Sequence, residues 1–102
     1  MRRAARIDEN QPGIVKALVD MGASVQLLHA VGGGCPDLLI GWKHKNFLIE
    51  IKNPKKPKAD QRLTPQQVYW HNGWAGKKAV ARTLEEVIAI INCNGSGAVI
   101  GK

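Results

Sequence analysis

The sequence predicts an α/β domain in which helices flank a mixed sheet, in the order α-β-β-β-α-β-α. Three observations lead there. Two segments open with capping-box signatures and a third repeats apolar residues at helical spacing. Four short runs of β-type composition lie between and around them. The chain of 102 residues allows one core of two or three thin layers, so it reads as a single domain over 1–102.

The first helix is expected from about Asn10 to Met21, with Asn10 as N-cap and Pro12 tolerated in the first turn. Ile14, Val15, Leu18 and Val19 recur at helical spacing, and Gly22 follows as a stop. Val25 to His29 is a short strand that runs into Gly32, Gly33 and Gly34. That triple glycine lacks the order of a phosphate loop, so it reads as a loop where backbone packs closely or approaches a partner. Leu38 to Trp42 and Phe47 to Lys52 form a hairpin around a polar turn. The stretch from Asn53 to Lys58, with two prolines, is expected to be an exposed loop. Thr64 caps a helix with Pro65 at its first position and Gln67 closing the capping box, ending near Asn72 or Trp74. Lys78 to Arg82 is the fourth strand, and Thr83 opens a last helix through about Ile91. The core therefore spans about 7–91, with 94–102 expected to be a flexible tail.

Fifteen Lys and Arg against eight Asp and Glu give a net charge of +7, which makes a polyanion the first partner to consider. The excess is concentrated: Lys43, Lys45, Lys52, Lys55, Lys56, Lys58 and Arg62 face only Glu50 and Asp60 over the same stretch. Two distant cysteines without a CxxC pair, and no signal peptide, suggest a reducing cytoplasm. The longest apolar run, Val87 to Ile91, is too short to span a membrane. No His and Cys spacing suits zinc.

The chemistry gathers on the hairpin. Asp37 stands where its first strand begins, and Glu50 and Lys52, two apart in the second, share a face. With His44 and Lys45 as a two-residue turn, position 43 pairs with 46 and 37 with 52, so the three side chains converge. The hairpin is otherwise apolar, and unpaired charge there is costly. Two adjacent carboxylates repel unless a divalent cation relieves them, and an all-oxygen set suits Mg²⁺ or Mn²⁺. The expected metal ligands are Asp37, Glu50 and the backbone carbonyl of Ile51. Lys52 would orient or deprotonate an attacking water, or neutralise charge on a phosphate oxygen. A structural ion-pair cluster is the competing explanation. The neighbouring basic residues favour phosphodiester hydrolysis, with Lys43, Lys45, Lys55, Lys56, Lys58 and Arg62 as the DNA-binding surface.

Pro36-Asp37, Glu50-Ile51-Lys52 and Leu63-Thr64-Pro65-Gln66-Gln67 leading into Trp70-His71 resemble the PD-(D/E)xK nuclease superfamily, and within it the small phage-type VRR-NUC domains. The resemblance covers roughly Ile7 to Ile91. It implies a restriction-endonuclease-like fold, Asp37 and Glu50 as ligands of catalytic Mg²⁺ or Mn²⁺, Lys52 in the hydrolytic step, and Gln67 facing the site. Spacing alone leaves Gln66 an equal candidate with Gln67. The resemblance further implies a homodimer acting on branched DNA, like a Holliday-junction resolvase, in a bacterial cytoplasm, with a phage or prophage as the expected source. The alternatives are a catalytically impaired DNA-binding module, or a nuclease for flaps, nicks or ends.

One position departs from the family pattern. A glutamate usually follows the Asn-Gln pair of the first helix, and Gly13 occupies its place here, with Asp8 or Glu9 as substitutes. Trp70 and Trp74, four apart on one helical face, read as core or dimer contacts rather than base-stacking residues, while Trp42 is open between these roles. Cys35 and Cys93 read as packing residues.

Overall fold

The computed structural model describes residues 8–93, so the start of the expected core at Ile7 and the expected tail over 94–102 lie outside the described residues. The elements are α1 (Gln11–Asp20), β1 (Ser24–Leu27), β2 (Leu38–Trp42), β3 (Lys45–Ile51), α2 (Lys58–Gln61), α3 (Pro65–Gly73), β4 (Lys78–Ala81) and α4 (Leu84–Ile91). The expected order holds, with one addition: a single helical turn, α2, follows Pro57 where the chain leaves the lysine-rich loop. The sheet order is β1-β2-β3-β4, antiparallel except for the parallel pair β3 and β4.

Period-two alternation divides β2 and β3 between two faces. Leu38, Ile40, Phe47, Ile49 and Ile51 turn to one side and pack with Ile14 and Leu18 of α1 and Val87 and Ile91 of α4. Asp37, Glu50 and Lys52 are left to the other side, where α3 lies, so the sheet is the middle of three layers. Gly22, at φ +103°, ends α1: its N–H donates to the Val19 carbonyl and that of Ala23 to Leu18, the Schellman pattern.

The hairpin register differs from expectation. Trp42 pairs with Lys45 and Leu38 with Ile49, so the turn is Lys43-His44 rather than His44-Lys45. Both turn residues are left-handed, at φ 52° and 68°. A two-residue turn of this type matches the right-handed twist of its strands, and here it forms without the usual Asn-Gly signal. Continuing the register places Asp37 opposite Glu50, not Lys52. The slip is by an even number of positions, so all three keep their shared face.

Asn10 also departs from its expected role. Its backbone is helical and its side chain makes no cap; instead its Nδ2 donates to the carbonyls of Lys52 at 3.2 Å and Arg82 at 3.0 Å. It thereby ties the start of α1 to the ends of β3 and β4. Among the described residues, no helix is long and apolar enough to cross a membrane.

Candidate active site

Two irregular segments bring a helix over the polar face of the hairpin. Gly32, Gly33 and Gly34 all have positive φ, and the loop they form packs against the start of α3. Thr64 caps that helix as the sequence predicts: its Oγ1 accepts the Gln67 N–H at 3.2 Å, and the Thr64 N–H donates back to Gln67 Oε1 at 2.9 Å.

The same Gln67 amide reaches the sheet. Its Nε2 donates to Glu50 Oε2 at 2.9 Å, and its Oε1 accepts from Lys52 Nζ at 2.9 Å. Because Oε1 already receives two donors, the amide has one favourable orientation. Gln66, which spacing left as an equal candidate, is exposed at the site's rim. Lys52 Nζ lies 3.8 Å from Glu50 Oε2.

Glu50 is only 4% exposed and Lys52 7%. Glu50 Oε1 is buried without a hydrogen-bond partner. Asp37 is half-buried, and its Oδ2 accepts the Ile51 N–H at 2.7 Å. Burial, and then the neighbouring Asp37, push the Glu50 carboxyl up to about 8. Burial also raises Asp37, against the opposing influence of the Ile51 N–H. This carboxyl pair therefore retains a proton that isolated carboxyls would release.

The residues sit in an open cleft of about 710 Å³, with Asp8 and Lys56 on its walls. Asp8 is thus the first-segment carboxylate that reaches this place. Glu9 is exposed, and a Cβ on Gly13 would meet no heavy atom within 4 Å, so position 13 points into open space. Cys35 also lines the cleft, its thiol raised by burial and then by Glu50 and Asp37. His71 is buried edge-on against Trp70, with ring centroids 5.4 Å apart, rather than presented to the cleft.

The basic run does not form one surface. Lys55, Lys56, Lys58 and Arg62 are exposed on the segment leaving β3. Lys43 and Lys45 are at the hairpin tip, five strand residues from Glu50 and therefore about 17 Å from it. Trp42 is half-buried there, donating from Nε1 to Asn92 Oδ1 at 2.8 Å.

A solved structure described as a VRR_NUC domain matches with a TM-score of 0.60 and 21% sequence identity, covering 79% of this chain and 88% of that one. The two chains share a fold. No family model matches the chain, and no curated protein matches it.

Among the described residues, no group of three or more His, Cys, Asp or Glu side chains comes together to hold a metal. A divalent-ion site of the magnesium kind needs fewer, since that ion keeps several waters and often takes one or two carboxylates. The two carboxyls on one face, and the buried, unpartnered Glu50 Oε1, fit such an ion.

Proposed function

We propose that this protein is a PD-(D/E)xK nuclease of the VRR-NUC type: a metal-dependent DNA endonuclease that hydrolyses phosphodiester bonds, with branched DNA such as four-way junctions as substrate. The observation that carries this reading is the Asp37, Glu50 and Lys52 cluster joined by Gln67, with one Glu50 oxygen buried and unpartnered. The shared fold and the net charge of +7 support it.

Asp37 and Glu50 would hold Mg²⁺ or Mn²⁺. The Ile51 carbonyl supports the set as a third oxygen, because a strand residue's C=O leaves the same edge as its N–H, and the Ile51 N–H points to Asp37. When bound, such an ion polarises a phosphoryl oxygen and makes water a stronger nucleophile. The protein's own groups do the rest. Lys52, clamped by Gln67, presents a cation beside the cluster, where it stabilises charge growing on a phosphate oxygen and orients the attacking water. Gln67 is a positioning residue that fixes the Glu50 and Lys52 side chains relative to each other. Lys55, Lys56, Lys58 and Arg62 hold the phosphate backbone without reading sequence. The reaction is attack of a water oxygen on phosphorus with departure of one ester oxygen.

A junction presents two strands related by approximate two-fold symmetry, and a homodimer would match it with two sites. Among the described residues one edge of β1 is free in the sheet order, and Leu27 and Val31 are exposed on and after it, which supports a second copy pairing there. The reading places the protein in a bacterial cytoplasm, encoded by a phage or prophage.

Incubation of a labelled four-way junction, a matched linear duplex and a flap with Mg²⁺, Mn²⁺ or EDTA tests the proposal. Metal-dependent cleavage of the junction alone is expected, and it should vanish in Asp37→Ala and Glu50→Ala. Cleavage of flaps or ends would reassign the substrate. Binding without cleavage would identify a DNA-binding module, the second reading.

A further inference from the structure

Beyond α3 the chain fixes an aromatic surface that hydrolysis itself does not require. Trp70 and Trp74 are stacked, with ring centroids 4.9 Å apart and planes 14° from parallel. Trp70 is half-buried, and Trp74 lies over it with 43% of its surface exposed. Three contacts hold Trp74 in place. It rests on Trp70; its carbonyl accepts from Lys78 Nζ at 3.1 Å; and Gly76 lies so close that a Cβ there would stand 2.9 Å from the indole Nε1.

We propose that Trp74, backed by Trp70, is a platform on which an unpaired base of a DNA strand stacks. Its surroundings favour a nucleic acid over a second protein copy. Lys78 borders it, its Nζ on the Trp74 carbonyl, in a protein of net charge +7. Fixed, exposed aromatics interleaved with cations are the pattern of surfaces that bind single strands. A ring immobilised before binding also loses little conformational freedom when a base settles on it.

The platform is placed to serve the cleft. Gln67, Trp70, His71 and Trp74 follow one stripe of α3 and its end, at helical spacing. Seven residues at 1.5 Å each separate Gln67 from Trp74 by about 10 Å, the length of roughly three stacked nucleotides. Bases inside a duplex already have both faces stacked. Those at a branch, flap or gap do not, so the platform selects DNA with unpaired bases. This rests on the nucleic-acid part of the proposed function and narrows its substrate.

The test measures binding in EDTA, apart from any cleavage. The wild type, Trp74→Ala, Trp74→Phe and Trp74→Leu are titrated with an oligothymidylate of about a dozen nucleotides and with a long blunt duplex, following tryptophan quenching and probe anisotropy. Wild-type fluorescence should be quenched by the oligothymidylate. Trp74→Ala should weaken that complex about five- to a hundredfold and leave the duplex affinity unchanged. Phe should retain most of the affinity and Leu little, a contrast that decides the matter even if the Ala variant folds poorly. Equal losses on both DNAs, or no loss, would overturn the inference. So would a dimer that dissociates in Trp74→Leu while single-strand binding persists, since the face would then belong to a second copy. Parallel incubation with Mn²⁺ separates the two ideas. Trp74-dependent binding without any cleavage removes only the hydrolytic reading, whereas cleavage with flat Trp74 contrasts removes only the platform.

Discussion

Gly34 lies against the backbone of Gln66: a Cβ on Gly34 would stand 2.5 Å from the Gln66 carbonyl oxygen and 3.2 Å from the Gln67 nitrogen. Only a residue without a side chain allows this approach, and the φ of +85° demands glycine as well. The loop thereby sets where α3 begins, and so where the Gln67 amide meets Glu50 and Lys52. The glycine run that invited comparison with a phosphate loop is, at Gly34, a packing device for the site.

Two substitutions separate conformation from contact at this loop. Gly33→Ala faces open space at φ +67° and should cost about 1–2 kcal/mol from backbone conformation alone. Gly34→Ala should cost about 1–3 kcal/mol more, because backbone must move. Urea denaturation measures both. DNA cleavage should fall much further in Gly34→Ala, and equal losses in the two variants would show that the close approach does not govern the site.

The Glu50 carboxyl gives the metal-free protein a pH signature. Its folded value of about 8 lies above its ordinary 4.5, so between those values the folded state holds a proton that the unfolded chain releases. Stability should therefore fall as pH rises from about 4.5 to about 8 and level off beyond. Glu50→Gln should flatten that slope in thermal melts over this range. A stability that rises through the same window in the wild type would contradict the assignment. Mn²⁺ affinity should increase towards tenfold per pH unit below about 8, as binding displaces this proton, and calorimetry can follow it.

Gln67→Ala removes the amide that receives Lys52 and donates to Glu50. A loss of about 1–3 kcal/mol in stability is expected from unmade buried hydrogen bonds. Cleavage should fall while Mn²⁺ binding persists, since the carboxylates remain. Retained cleavage at the wild-type rate would reduce Gln67 to a helix cap.

The divided basic surface predicts two salt responses. Replacing Lys55, Lys56 and Lys58 with Ala should lower the slope of log affinity against log salt by up to roughly three units, on short and long duplexes alike. Replacing Lys43 and Lys45 should matter only on DNA that extends about 17 Å past the cleft, the reach to the hairpin tip. Anisotropy titrations on duplexes of graded length check this. A length-independent effect of the tip lysines would place the DNA elsewhere.

The alternation of apolar and charged residues in Leu38–Trp42 and Phe47–Lys52, with the Thr64 capping box, determined on its own the strands, the α3 start and the face shared by Asp37, Glu50 and Lys52. Such signals are local: period-two patterning and a cap depend on residues only a few positions apart, and the face survived a slipped register because the slip was even. Tertiary structure decided what no local rule encodes. Lys43 and His44 took left-handed conformations because strand twist outweighed their own preference. Asn10 left its cap to bridge β3 and β4 across more than forty residues. Asp8 came to line the cleft while Gly13 did not, and Gln67 was chosen over Gln66 by the closeness of Gly34. In each case the deciding partner is distant in sequence, and only the folded chain brings it within hydrogen-bonding or van der Waals range.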